Sequence, residues 1–199
     1  MFLIIDFEAT CWTDGINHND NEIIEIGAVM VQDFKKIGEF GSFVKPVRNP
    51  ILSDFCTRLT SITQVDVDKA ANFVEVLFSL AIFVKQFKML YPNDDVVFCS
   101  WGHYDKHQLK KDCDYHKVVF PFEYHISLKH EFASRHPGKL MGVGKALRFL
   151  GLQFEGTPHR GLDDARNIAN IFIKEWKHTG LQVRKEHTIE YNPNLFGKQ

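Results

Sequence analysis

The first ten residues constrain this chain more than any other stretch. Met1-Phe2-Leu3-Ile4-Ile5 is unbroken apolar sequence, and it runs into Asp6-Phe7-Glu8. A short continuous apolar run reads as a strand buried on both faces, in the middle of a covered sheet. Side chains alternate along a strand, so Asp6 and Glu8 point to one side. Two carboxylates at the end of a buried strand repel each other unless something positive lies between them. A divalent cation is the usual answer. A D-x-E is equally compatible with a solvated strand end, so the rest of the chain has to supply partners.

After Glu8, the polar stretch from Thr13 to Asn21 reads as a loop. Residues 22–31 form a second, mostly apolar strand, and 37–44 a third. The short turn between them favours antiparallel pairing. Ser53 can cap a short helix and Thr63 a further helical turn. Asn72 with Glu75 opens the clearest helix, over 72–91, stopped by Pro92. Residues 96–100 read as another buried strand, followed by helices near 105–114, 127–136, 142–150 and 162–178. This order predicts one α/β domain with a mixed sheet.

Composition narrows the function. The 199 residues include 44% apolar ones, enough for a core, and the net charge of −1 leaves no global footprint for nucleic acid. Any such binding must be local. Cys11, Cys56, Cys99 and Cys113 have no zinc spacing and read as free thiols. Nothing resembles a signal peptide or membrane span, so a cytoplasmic location is expected.

Singly, the remaining acids are bland. Asp105 follows a strand and opens a helix, where a carboxylate favours the helix dipole. Asp163 and Asp164 sit in the first turn of the last helix, behind an exposed-looking His159. Together they form a pattern. The stretches Asp6-Phe7-Glu8-Ala9-Thr10-Cys11-Trp12, Glu22-Ile23-Ile24-Glu25-Ile26-Gly27-Ala28-Val29 and Leu52-Ser53-Asp54-Phe55-Cys56 occur in order. They are followed by Leu59-Thr60-Ser61-Ile62-Thr63-Gln64, Trp101-Gly102-His103-Tyr104-Asp105 and His159-Arg160-Gly161-Leu162-Asp163-Asp164-Ala165. The whole resembles the DEDDh, or DnaQ-like, 3′→5′ exonuclease superfamily. Within it the chain is similar to the exoribonucleases of the enhanced-RNAi and histone-mRNA 3′-end type, with bacterial relatives resembling the sporulation inhibitor KapD. One departure is Ser61, where the family usually has glycine.

The resemblance implies an RNase H-like mixed five-stranded sheet flanked by helices, an exonuclease domain over residues 1–180, and a tail over 181–199. It implies metal ligands at Asp6, Glu8, Asp105 and Asp164 and a general base at His159. The motif's spacing from the histidine selects Asp164 over Asp163. Two Mg²⁺ ions about 4 Å apart would activate water and stabilise the leaving oxygen, Asp6 bridging them, with Mn²⁺ able to substitute. His159 would take the proton from the attacking water. The expected substrate is a single-stranded 3′ end, RNA favoured over DNA, and the product a nucleoside 5′-monophosphate. Ala9 and Thr10 would seat the 3′ end, and Ile62 and Tyr104 would sandwich the base. Lys106, Lys110, Lys111 and Arg160 are candidates for phosphate contact or for a solvated surface. Trp12 and Trp101 are expected in the core, Glu25 in a structural hydrogen bond near the site, and the other histidines on the surface. A 3′→5′ DNA exonuclease, or a regulatory protein acting by protein contact, remains open.

Overall fold

The computed structural model describes residues 1–13, 20–136, 138 and 140–189. The predicted loop lies partly, and tail residues 190–199 wholly, outside the described residues. The opening run forms β1 (Phe2–Ala9), the central strand of a five-stranded sheet of order β3-β2-β1-β4-β5. Leu3, Ile4 and Ile5 have no exposed surface, as expected of a strand covered on both faces. β2 (Ile23–Gln32) pairs antiparallel with β1 and with β3 (Lys35–Phe43). The two-residue connection Asp33-Phe34 has φ of 49° and 55°, the hand that suits a twisted hairpin. The Phe34 ring stacks on Phe172 at 5.5 Å, a contact that offsets the strained backbone.

β4 (Val97–Ser100) runs parallel to β1 but pairs with only three of its residues, Phe2 to Ile4. β5 (His125–Ser127) pairs parallel to β4. Three residues are too few to show periodicity, and the sequence pattern places Ser127 at a helix start instead.

Seven α-helices cover the sheet among the described residues: α1 (Asp54–Thr60), α2 (Gln64–Asp68), α3 (Phe73–Leu90), α4 (Tyr104–His116), α5 (Leu128–Arg135), α6 (Val143–Phe149) and α7 (Gly161–Trp176). Their predicted caps form. Ser53 accepts from Cys56 N–H, and Thr63–Asp66 and Asn72–Glu75 make reciprocal capping boxes. Leu3, Ile5 and Phe7 face α3 and α4, whereas Ile4 packs with residues of α5, α6 and α7. Alternation therefore sends Asp6 and Glu8 to the α7 face.

Some expectations change. His125 and His187 are buried rather than on the surface. Each sits where a ring nitrogen finds a partner, Ser100 for His125 and Glu131 for His187. Trp12 and Trp101 are half-buried, and the Trp101 indole donates to Met141 O at 2.9 Å. Beyond α7 the chain returns to the domain: Thr188 bridges Tyr124, and Ile189 N–H donates to Glu123 O at 2.8 Å.

Candidate active site

Carboxylate oxygens of Asp6, Glu8 and Asp164 all lie within 4.8 Å of one another. Two come from alternate positions of β1 and the third from the first turn of α7. What lets the helix come so close is Gly27, which pairs with Asp6 across β1 and β2. A Cβ there would stand 2.0 Å from the carbonyl carbon of Gly161. No side chain fits, so the backbone of α7 rests directly on the sheet. Glu25, paired with Glu8, then holds the helix start. Its carboxylate accepts from Gly161 N–H at 2.9 Å and from Arg160 Nε and Nη2 at 3.1 Å each. The register slips between Glu8 and Ala9, a bulge of the kind that re-aims side chains beside sites.

His159 precedes α7 with φ of 60°, a left-handed corner that histidine tolerates better than most residues. It is exposed, and its backbone N–H, with that of Arg160 at 3.1 Å, bonds the Asp164 carboxylate. Asp163 faces away from this cluster, accepting from Thr157 N–H and pairing with Arg166, both at 2.9 Å.

Asp105 reaches the site because β4 is short. Beyond its last pair, Phe7 N–H donates to Asp105 Oδ1 at 3.1 Å, so a carboxylate replaces the missing strand. The nearby Ser100 hydroxyl donates to Gly102 O at 3.0 Å and meets His125 Nε2 at 2.9 Å. Burial, with Lys106 and neighbouring histidines adding to it, lowers the His125 pKa to about 3, so this imidazole is neutral.

The electrostatics are those of crowded, buried carboxylates. Burial, followed by the charges of Asp105 and Asp164, pushes Asp6 well above the usual carboxylate range. Burial and then Asp164 raise Glu8 to about 8. Burial lifts Asp105 to about 6, against the pull of its Phe7 hydrogen bond, and lifts Asp164 too. Four crowded acids favour protons or a divalent ion between them. An all-oxygen donor set suits hard cations such as Mg²⁺ or Mn²⁺. The donors present therefore fit a metal. An apolar hollow of about 300 Å³ between α3 and residues 121–124 holds none of these acids.

The expected nucleotide pocket is only partly assembled. Tyr104 is 54% exposed at the start of α4. Ala9 is buried, and its carbonyl accepts from Cys56 Sγ at 3.7 Å. Thr10 is buried, with its N–H on Glu22 O and its hydroxyl accepting from Glu22 N–H. Ile62 corrects the expected sandwich. It has no exposed surface and packs with Ile24, Leu52, Cys56 and Val67, so it offers no face to a base. Ser61 turns the chain there with φ of 61°, directing Ile62 inward. The family glycine at this position has its physical reason in that left-handed backbone. Lys110 pairs with Asp114, Lys111 with Asn21, and Arg160 with Glu25. Of the four candidate phosphate cations, only Lys106 has no such partner among the described residues. Sequence reasoning missed Gly27 as a positioning residue, although its two-residue spacing from Glu25 was a readable sign that both lie on the acids' face. It had no signal for Asn21, Ser100 or His125, whose partners lie far along the chain.

Comparison with known proteins places this geometry. The Exonuclease (RNase T) family model matches residues 3–172. The "Probable 3'-5' exonuclease KapD" of Bacillus subtilis is 33% identical over 196 residues, covering 94% of this chain and 90% of that protein. The 3'-5' exonuclease eri1 of Schizosaccharomyces pombe is 35% identical, covering 86% of this chain, which spans 66% of its length. The mouse protein ERI1 exoribonuclease 2 is 32% identical over 88% of this chain, which spans 28% of its length. Among solved structures, the nuclease domain of 3'hExo, a DEDDh family member, bound to rAMP, superposes with a TM-score of 0.79 at 30% identity. That match covers 87% of this chain and 90% of the other. A structure describing 3'-end specific recognition of histone mRNA stem-loop by 3'-exonuclease gives 0.81 at 30% identity, covering 87% and 80%.

Proposed function

The chain belongs to the exonuclease family, and we propose that it is a divalent-metal-dependent 3′→5′ exoribonuclease releasing nucleoside 5′-monophosphates. The observation that carries this reading is the trio Asp6, Glu8 and Asp164, whose oxygens converge within 4.8 Å beside a buried Asp105. Asp6, Glu8 and Asp164 would hold the metal, with Asp105 serving a second ion, and Mg²⁺ is the ion we assign. When bound, divalent ions neutralise the carboxylates and the scissile phosphate and make a water acidic enough to attack at neutral pH. Glu25 and Gly27 keep Asp164 seated over Asp6. His159, exposed and tied through its backbone to Asp164, takes the proton of the attacking water at its ring and passes it to solvent. Ala9 and Thr10 line the seat of the 3′ end, and Tyr104 forms its open wall.

RNA is the substrate we favour, in line with relatives named exoribonucleases and a neighbour that binds rAMP. Residues 1–180 form the exonuclease domain on this reading, with 181–199 an extension of it. No helix among the described residues is long and apolar enough to cross a membrane, and a cytoplasmic location is part of the proposal.

Matched RNA and DNA oligonucleotides, labelled at the 5′ end and incubated with Mg²⁺, test the reading. Stepwise shortening of RNA from the 3′ end is expected, lost in Asp6→Ala. Faster consumption of DNA would overturn the RNA assignment, and hydrolysis surviving in Asp6→Ala would overturn the site.

A further inference from the structure

Tyr104 carries an unusual constraint for an exposed aromatic. Its hydroxyl oxygen accepts from Asn21 Nδ2 at 2.8 Å. The direction of that bond follows from the neighbour on the other side. Lys111 Nζ meets Asn21 Oδ1, and an ammonium has donors only. The amide oxygen must therefore face Lys111, and the amide nitrogen must face Tyr104. A phenol that accepts through its oxygen keeps its own proton for another acceptor.

The Asn21 backbone is held in place. Its backbone carbonyl accepts from Gln108 Nε2 at 3.0 Å and from Arg48 Nη2 at 3.2 Å. Both of those side chains also bond Asp112, which accepts from Ile23 N–H at 2.9 Å. The network ties the start of β2 to α4 and holds the Asn21 side chain between Tyr104 and Lys111, and Lys111 alone sets which way the amide faces. Tyr104 adjoins Asp105, and its hydroxyl lies near enough to Asp105 and Glu8 to feel their charge. A ring needed only for stacking would gain nothing from a fixed hydroxyl, since phenylalanine presents the same face.

We propose that the Tyr104 O–H, aimed by Lys111 through Asn21, donates a hydrogen bond to an acceptor on the terminal nucleotide. Asn21 and Lys111 are then positioning residues that touch no substrate. The proposal rests on the acid cluster being an exonuclease site and adds to it a recognition group that the acids do not explain.

Lys111→Met is the informative variant. It removes nothing that contacts substrate, but frees the amide to rotate and present Oδ1 to the phenol proton. Tyr104→Phe removes the donor outright, and Lys110→Met removes an equal charge one residue away. The readouts are KM and kcat on a labelled oligoribonucleotide and the affinity for AMP with Mn²⁺ by calorimetry. A neutral hydrogen bond is worth about three- to tenfold, so Tyr104→Phe and Lys111→Met should each raise KM and weaken AMP by about that factor. Turnover number should hold within about twofold, and Lys110→Met should behave as wild type. The double variant should be no worse than Tyr104→Phe alone, because both act on one bond. Wild-type KM in Tyr104→Phe, or effects that multiply in the double variant, would overturn the proposal. Absence of RNA hydrolysis in the wild type, with AMP affinity still lowered by Tyr104→Phe, would sink the exonuclease reading and leave the donor standing.

Discussion

Replacing Gly27 by alanine should separate the clustered acids without touching any of them. The added Cβ would lie 2.0 Å from Gly161 C, 2.1 Å from Leu162 N and 2.2 Å from Gly161 O. Carbon atoms in ordinary contact are about 3.5 Å apart or more, so the start of α7 must withdraw by roughly 1.5 Å. Both sides of the clash are backbone, and no side-chain rotation relieves it. The Glu25 bonds to Gly161 and Arg160, now 2.9 to 3.1 Å, would be stretched out of range. Overpacking of this kind costs about 1–3 kcal/mol, and with rigid partners the upper end is expected. Asp164 and His159 move with the helix, and a displacement of about 1 Å in a catalytic group is worth roughly 10²-fold in rate. Gly41→Ala is the control. Its Cβ would meet the Leu162 side chain, closest at Cδ2 at 3.1 Å, a far end that can turn aside, with Cβ and Cγ at ordinary contact distances of 3.6 and 3.8 Å. Urea unfolding, Mn²⁺ calorimetry and RNA hydrolysis should show Gly27→Ala folded but weakened, with poor metal affinity and turnover down about 10²-fold. Gly41→Ala should lose less than about 1 kcal/mol. Wild-type metal affinity and turnover in Gly27→Ala, or equal damage in Gly41→Ala, would refute the argument that this glycine seats Asp164.

Other outcomes follow from the same geometry. His159→Ala should lower kcat by roughly 10²-fold or more while leaving Mn²⁺ affinity nearly intact, and a large loss of affinity would mean that the imidazole is a ligand instead. Ser61→Gly should raise stability by about 1 kcal/mol, since a left-handed residue with a Cβ is strained; a lower Tm would show that Ser61 makes a compensating contact. The metal-free protein should lose stability as pH rises. Folded-state values near 6 for Asp105 and 8 for Glu8 lie above the unfolded carboxylate range of about 4. Their contribution is therefore fully present below about pH 4 and is lost as pH climbs through the folded values, by an amount on the order of a few kcal/mol. Tm in chelator should fall between pH 5 and 8, and Mg²⁺ or Mn²⁺ should restore it most at the alkaline end. A Tm that is flat or rising in chelator would contradict the crowding of these acids.

Much of this protein was legible along the chain, for local reasons. A short unbroken apolar run reads as a covered strand, and alternation along it put Asp6 and Glu8 on one side. The caps at Ser53, Thr63 and Asn72 are contacts over three residues, so their partners stand beside them in the sequence. The family motifs added Asp105, His159 and Asp164, and the five-strand sheet that periodicity could not show because β5 has only three residues. What lay beyond the sequence depended on distant surfaces meeting. Ile62 looked available to a base, but the turn at Ser61 packs it into a core cluster. His125 looked like a surface histidine, but β5 carries it beneath Ser100. Gly27 looked like an ordinary strand glycine, yet Gly161, 134 positions later in the chain, rests on it. The sequence by itself determined which acids this protein has to offer and on which strand face two of them stand. Only the tertiary structure decided that they converge, because the distance of α7 from β1 is set by a missing side chain on a third element. It alone also decided where the Tyr104 proton points, because an amide's orientation is settled by the donor on its far side.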